Sequence, residues 1–328
     1  MKTIANALGV IVLIFLAAFG YFYFRSPATA APMNIVVDKS PERVARGEYI
    51  FTRLSYCDDC HSEQDFSKLA RPVVKSTRGY GKLMADKDMP GQIYAANITP
   101  DMETGIGSWT DGEKIRAIRE GVDKNGRALF PIMPYQFYRY MSDDDVQALV
   151  AYLDTMPAIK HAQPATHVNF PDSMWMKGDP RPVEGPVKAP DKSDKIHYGE
   201  YLQTICHCEV CHTPYPNLKP VLKYRLAGGR RFITPAGTVF SANITPDHAT
   251  GIGDWDLDRF KTRLTTFRAY ENAEGPPTIG PDKFTMMPYE AYAHMDDGDM
   301  EAIFAYLKTQ APISHKVDPY TGVAGGGQ

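Results

Sequence analysis

The longest apolar run comes first. Residues Ala7 to Phe24 carry no charge and are followed by Arg25. As a helix this run would span about 27 Å, close to the hydrocarbon thickness of a bilayer. Ala28-Thr29-Ala30 would serve as a cleavage site, but the run is longer than the apolar part of most signal peptides. It also ends in the interface-suited aromatics Tyr21 to Phe24. The expectation is an uncleaved transmembrane anchor within residues 1–30. Anchor or signal, the segment sends the rest of the chain out of the cytoplasm.

From about Pro41 the apolar positions take up helical spacing. A helix is predicted from Pro41 to Tyr56 and on into the segment after it, with Ser40 as candidate cap and proline at the first helical position. Ser142-x-x-Asp145 resembles a capping box, and Val146, Leu149, Val150 and Leu153 follow on one face. The same pattern returns from about Asp297 to Thr309 with Ile303, Phe304 and Leu307. No stretch argues for a β-sheet, so the fold expected is all-α.

The chain also repeats itself. Ala96-Asn-Ile-Thr-Pro-Asp-Met-Glu-Thr-Gly-Ile-Gly-Ser-Trp109 returns as Ala242-Asn-Ile-Thr-Pro-Asp-His-Ala-Thr-Gly-Ile-Gly-Asp-Trp255. Gly47-Glu48-Tyr49, Met133-Pro134-Tyr135 and Ala151-Tyr152-Leu153 recur in the same order as Gly199-Glu200-Tyr201, Met287-Pro288-Tyr289 and Ala305-Tyr306-Leu307. Two copies of one domain are expected, at 41–160 and 191–316. Between them a Pro-rich connector, 161–190, contains Trp175 flanked by Met174 and Met176, which suggests packing against a domain. A Gly-rich tail, 317–328, ends the chain. Gly47 and Gly199 are placed to let the first and last helices of each copy cross closely, near Tyr152 and Tyr306.

Each copy holds one C-x-x-C-H motif, Cys57-Asp58-Asp59-Cys60-His61 and Cys208-Glu209-Val210-Cys211-His212. The spacing has a chemical reason: two thiols about one helical turn apart can add to the vinyl groups of one porphyrin, and the next residue's imidazole reaches its iron. Two covalently bound haem c groups are expected. Four of the five cysteines are thereby used, which excludes a disulfide scaffold and leaves Cys206 as a small buried residue. A net charge of −3 with scattered Lys and Arg offers no footprint for nucleic acid.

With these motifs the chain resembles the membrane-associated multihaem cytochrome c subunits that accept electrons from bacterial alcohol, gluconate and related dehydrogenases. The resemblance rests on the stretches at Asn97 and Asn243, on Met-Pro-Tyr at Met133 and Met287, and on His207 to Pro214, and runs from about Gly47 to Leu307. It implies tandem class I cytochrome c domains, a dehydrogenase partner, a respiratory electron acceptor and a periplasmic position on the inner membrane. Members serving alcohol dehydrogenases often carry three haem domains, and this chain has two motifs. A dihaem redox enzyme, such as a peroxidase or a thiosulfate-oxidising cytochrome, is the alternative.

The second axial ligand separates carrier from enzyme. A thioether favours ferrous iron and raises the potential, as suits a carrier. Met133 and Met287 recur at matching places in the two copies and are the expected ligands opposite His61 and His212. Met89 is a rival in one copy only. Trp109 and Trp255 are expected beside the haems, and the remaining histidines are given no role.

Overall fold

The computed structural model describes residues 2–68, 71–85, 89–216, 219–234, 237–268 and 285–318. The Gly-rich tail beyond Asp318 lies outside the described residues. The first helix, α1 (Lys2–Phe24), is apolar on every side. Leu13 and Phe15 stand 67% and 72% exposed. Among the described residues it is the one helix long and apolar enough to cross a membrane, with a mean hydropathy of 2.3 over Asn6–Phe24.

The first half then runs α2 (Pro41–Tyr49), α3 (Asp58–His61), β1 (Lys82–Ala85), β2 (Gly91–Ala95), α4 (Asp111–Glu120), α5 (Tyr135–Tyr138) and α6 (Asp143–Thr155). The connector contributes β3 (His167–Val168) and α7 (Asp172–Trp175). The second half repeats the order with α8 (Lys195–Ile205), α9 (Cys208–His212), β4 (Arg231–Thr234), β5 (Gly237–Phe240), α10 (Leu257–Thr265), α11 (Tyr289–Tyr292) and α12 (Asp297–Lys308). The chain is mostly helical, and the all-α expectation is corrected by two small sheets. One is an antiparallel hairpin, Lys82 opposite Ala95, to which β3 adds at Gly91. The other sets Arg231 opposite Phe240. These strands are two to five residues long and half-exposed, with Leu83 and Ile233 open to solvent, so they write no clear alternation into the sequence.

In each half the first and last helices cross at a glycine. A Cβ on Gly47 would stand 1.9 Å from the Ala148 carbonyl oxygen and 2.8 Å from Tyr152 Cβ; on Gly199 it would stand 1.9 Å from the Ala302 oxygen and 2.9 Å from Tyr306 Cβ. The obstacle is backbone, which cannot swing aside. Gly47→Ala must therefore part α2 from α6, and chemical unfolding of the holoprotein should register a loss of about 3 kcal/mol. Wild-type stability in that variant would refute the close crossing.

The two halves differ by one residue between this glycine and the C-x-x-C-H motif: Gly47 precedes Cys57 by ten positions, Gly199 precedes Cys208 by nine. The extra residue is absorbed as a π-helical turn, Ile50–Leu54, in which Ser55 N–H donates to the Ile50 carbonyl at 2.9 Å. The predicted unbroken helix from Pro41 into the motif is thus corrected. It changes to π geometry after Tyr49 and breaks at Tyr56, whose φ of 44° is left-handed, as is that of His207 before the second motif. The caps also differ from expectation. Ser40 makes no side-chain cap bond. Ser142 accepts from the Asp145 amide at 3.1 Å, but the Asp145 carboxylate is drawn to Arg46 and Tyr201 instead of closing the box. A full capping box forms at Thr110 and Glu113.

The halves grip each other reciprocally. Tyr201 Oη donates to the Asp145 carboxylate at 2.6 Å and accepts from the Ser142 amide; Tyr49 Oη donates to Asp299 at 2.9 Å and accepts from the Asp296 amide. Each tyrosine of the repeated Gly-Glu-Tyr thus caps the last helix of the opposite half. Ser55 Oγ donates to the Ile205 carbonyl at 3.2 Å between the two crossing segments. Beneath these bonds Phe51, Leu54 and Val150 share one buried core with Leu202, Ile205 and Met300.

The connector follows the first half, with Val187 and Asp143 exchanging hydrogen bonds. The connector packs on the first half as expected, though not through Trp175. That residue is 60% exposed and lies at the foot of α1, where Phe170 stacks edge-on against Phe19 and Lys177 Nζ donates to the Tyr23 carbonyl at 2.8 Å.

Candidate functional site

Both C-x-x-C-H motifs form a single helical turn, α3 and α9, entered through the left-handed residues Tyr56 and His207. The turn sets the two thiols of each motif on one side, all four half-buried. Burial pushes the Cys60 and Cys208 thiols up to about 12, and those of Cys57 and Cys211 upward as well.

The histidine that closes each motif is held in one orientation. His61 Nδ1 lies 2.8 Å from the Ala96 carbonyl oxygen, and His212 Nδ1 lies 2.7 Å from that of Ala242. A carbonyl can only accept, so Nδ1 carries the proton and Nε2 keeps its lone pair. Burial also lowers the pKa of both imidazoles, which favours the neutral, ligating form. These groups fit a haem: paired thiols, and an imidazole whose free nitrogen is presented by a backbone partner. Ala96 and Ala242 open the repeated Asn-Ile-Thr-Pro-Asp stretches, which gives those stretches a structural task. Asn97 and Asn243 fix them by donating to the Ile159 and Ile313 carbonyls, each at 2.8 Å.

Met133 and Met287 take up matching turns. In both, the carbonyl of the methionine accepts from the tyrosine amide two residues on, at 2.8 Å, across a proline whose φ and ψ are −82° and 48° in one half and −77° and 64° in the other. These are inverse γ-turns, with proline supplying the fixed φ. Both methionines are half-buried and packed on the core alongside Cys57 and Cys208. Trp109 and Trp255 are half-buried, the second beneath the Arg259 guanidinium at 4.7 Å.

Several functional neighbours escaped the sequence reading. Tyr138 Oη donates to the Ser55 carbonyl and Tyr292 Oη to the Cys206 carbonyl, each at 3.3 Å and each two residues before its motif. They tie the methionine turn to the C-x-x-C-H turn. Their signal was legible, since both stand five residues after the repeated methionine. The second residue of each motif is acidic and ion-paired, Asp58 with Arg78 at 2.9 Å and Glu209 with Arg225 at 2.7 Å. Burial raises the Asp58 pKa, and Arg78 opposes that rise.

A helical fold that sets a C-x-x-C-H turn against a carbonyl-oriented histidine is that of a c-type cytochrome. No protein-family model matches the chain. It is 31% identical over 289 residues to the cytochrome c subunit of the quinone-dependent alcohol dehydrogenase of Gluconobacter oxydans, covering 84% of this chain and 56% of that subunit. To the gluconate 2-dehydrogenase cytochrome c subunit of Pantoea cypripedii it is 31% identical, covering 81% of this chain and 59% of the relative. To a dihaem cytochrome c-type protein of Cereibacter sphaeroides it is 32% identical over 277 residues, covering 80% of this chain and 84% of that protein. The chain belongs to this family of dehydrogenase cytochrome c subunits and dihaem c-type cytochromes, which carry covalent haem c. It spans little more than half the length of the dehydrogenase subunits it matches.

Proposed function

We propose that the chain is a membrane-anchored dihaem c-type cytochrome that passes single electrons between a membrane or periplasmic dehydrogenase and a respiratory acceptor. The observation that carries the reading is duplication: each half presents two thiols, a histidine with its Nδ1 on a carbonyl, and a methionine in an inverse γ-turn. Cys57 and Cys60 would attach one haem, with His61 and Met133 as axial ligands. Cys208 and Cys211 would attach the other, with His212 and Met287. Bound there, the haem iron supplies the one-electron couple. Held by His61 and Met133 and by His212 and Met287, neither iron would offer a site to substrate. The two haem domains would correspond to 41–160 and 191–316.

Anchoring through α1 on the periplasmic side of the inner membrane accounts for a helix that is apolar all round. It also accounts for Trp175, Phe170 and Lys177 at its outer end, since an exposed indole beside a lysine suits the headgroup region. Solubilised native membranes test both parts. The full chain should co-purify with a dehydrogenase, and its mature N-terminus should precede Ala7. A mature terminus near Ala31 on protein that needs no detergent would overturn the anchor, and recovery of the chain without any dehydrogenase would overturn the partner.

A further inference from the structure

The segment after the first haem motif contains an insertion that reaches into the second half. It is closed at both ends by the Val74 amide donating to the Glu63 carbonyl at 2.9 Å. Its counterpart, closed by Val221 on Pro214 at 2.9 Å, spans only 214–221 and contains no arginine. The longer segment carries Arg71, whose side chain is 4% exposed and whose φ is 45°, a left-handed value costly for any residue but glycine. One arm of its guanidinium pairs with Asp59, inside the first haem motif. The other, Nη2, donates to the Met286 carbonyl at 2.9 Å. Two residues on, the Val73 amide donates to the Glu290 carboxylate at 2.9 Å, and Arg53 Nη1 donates to the Glu290 carbonyl at 3.2 Å. The segment 286–290 is therefore gripped at both ends by the first half. Met287 lies within it.

Among the described residues nothing equivalent runs the other way. Val210 stands where Asp59 does in the first motif, so the second motif has no acid to orient a returning arginine. We propose that Arg71 is a positioning residue for the second haem's methionine: from the first haem's attachment turn it fixes the backbone beside Met287, and so makes ligation in the second half depend on the first. This rests on the ligand reading given above.

The test uses holoprotein with Arg71→Gln combined with Asp59→Asn, which leaves no half-buried carboxylate without its arginine. Imidazole is titrated against each ferric haem while the thioether-to-iron charge-transfer band is followed, with Met133→Leu and Met287→Leu assigning the two haems. Losing a hydrogen bond from a charged donor should raise imidazole affinity at the second haem about tenfold, and by less at the first, whose motif holds Asp59. Asp59→Asn alone keeps the bond to Met286 and should have a smaller effect. Arg71→Lys retains the charge without the fork and should rescue only in part. Unchanged affinity at the second haem, or an equal rise at both, overturns the proposal while leaving the ligands in place. A Met287→Leu protein that keeps both bands overturns the ligand reading itself.

Discussion

Cys57→Ser with Cys60→Ser is expected to yield a chain with one haem in place of two. Covalent attachment needs both thiols of a motif on one side of a helical turn, and α3 provides that placement only while they are sulfur. The second haem should be retained, because α9, the His212 bond to Ala242 and the Tyr292 tie to Cys206 all lie within its own half. Intact-protein mass spectrometry reads the haem count directly. Two haems on the variant would place attachment elsewhere, and fewer than two on mature wild-type protein would refute the dihaem reading. The energetic effect is also large. Cys57 and Met133 pack on the same buried core as Phe51 and Leu54, so a missing porphyrin leaves a void beyond that of any side-chain truncation. Unfolding should lose more than the ~5 kcal/mol of the costliest core deletions.

What the sequence disclosed follows from how local each constraint is. The haem motifs and the Met-Pro-Tyr turns are set by residues within a few positions of one another, so both stand in the chain in full. The Gly47 and Gly199 crossings were legible because a missing Cβ is a steric statement repeated at the same place in both copies. The π-helical turn could have been read from the ten-against-nine spacing before the two motifs. Other features had no local signature. Tyr49 and Tyr201 look like core aromatics until the halves are docked and each is found on the opposite half's aspartate. Arg71 is one of many surface-typed residues, and its burial depends on an insertion whose target is more than two hundred positions away. The hairpins were missed because short, half-exposed strands are held by backbone bonds that side-chain patterns do not encode. The Met-Trp-Met stretch at Trp175 announces a connector that packs on a domain, and it does so through backbone bonds such as those of Val183 and Val187 while the indole stays exposed. An exposed tryptophan makes sense only once α1 is seen beside it.

Met287→Leu should abolish the thioether-to-iron band of the second haem and lower that haem's potential, whereas Met286→Leu should change neither. The adjacent methionines make this a strict test of the repeat. Met287, not Met286, occupies the inverse γ-turn in which the tyrosine amide bonds back to the methionine carbonyl, and Met133 holds the same place in the first half. Met286 aligns with Ile132, an apolar packing position. Its contribution to the site is its backbone carbonyl, which accepts from Arg71 and survives a change of side chain. Leucine is close to methionine in volume, so either variant should fold with a cost below about 1.5 kcal/mol. Ligation then becomes the quantity measured. With the thioether gone the iron has an open position, and carbon monoxide should bind the ferrous second haem of Met287→Leu while sparing the first. Met133→Leu should give the mirror result. If native wild-type protein already binds carbon monoxide at either haem, that iron is open, and the enzyme alternative displaces the carrier.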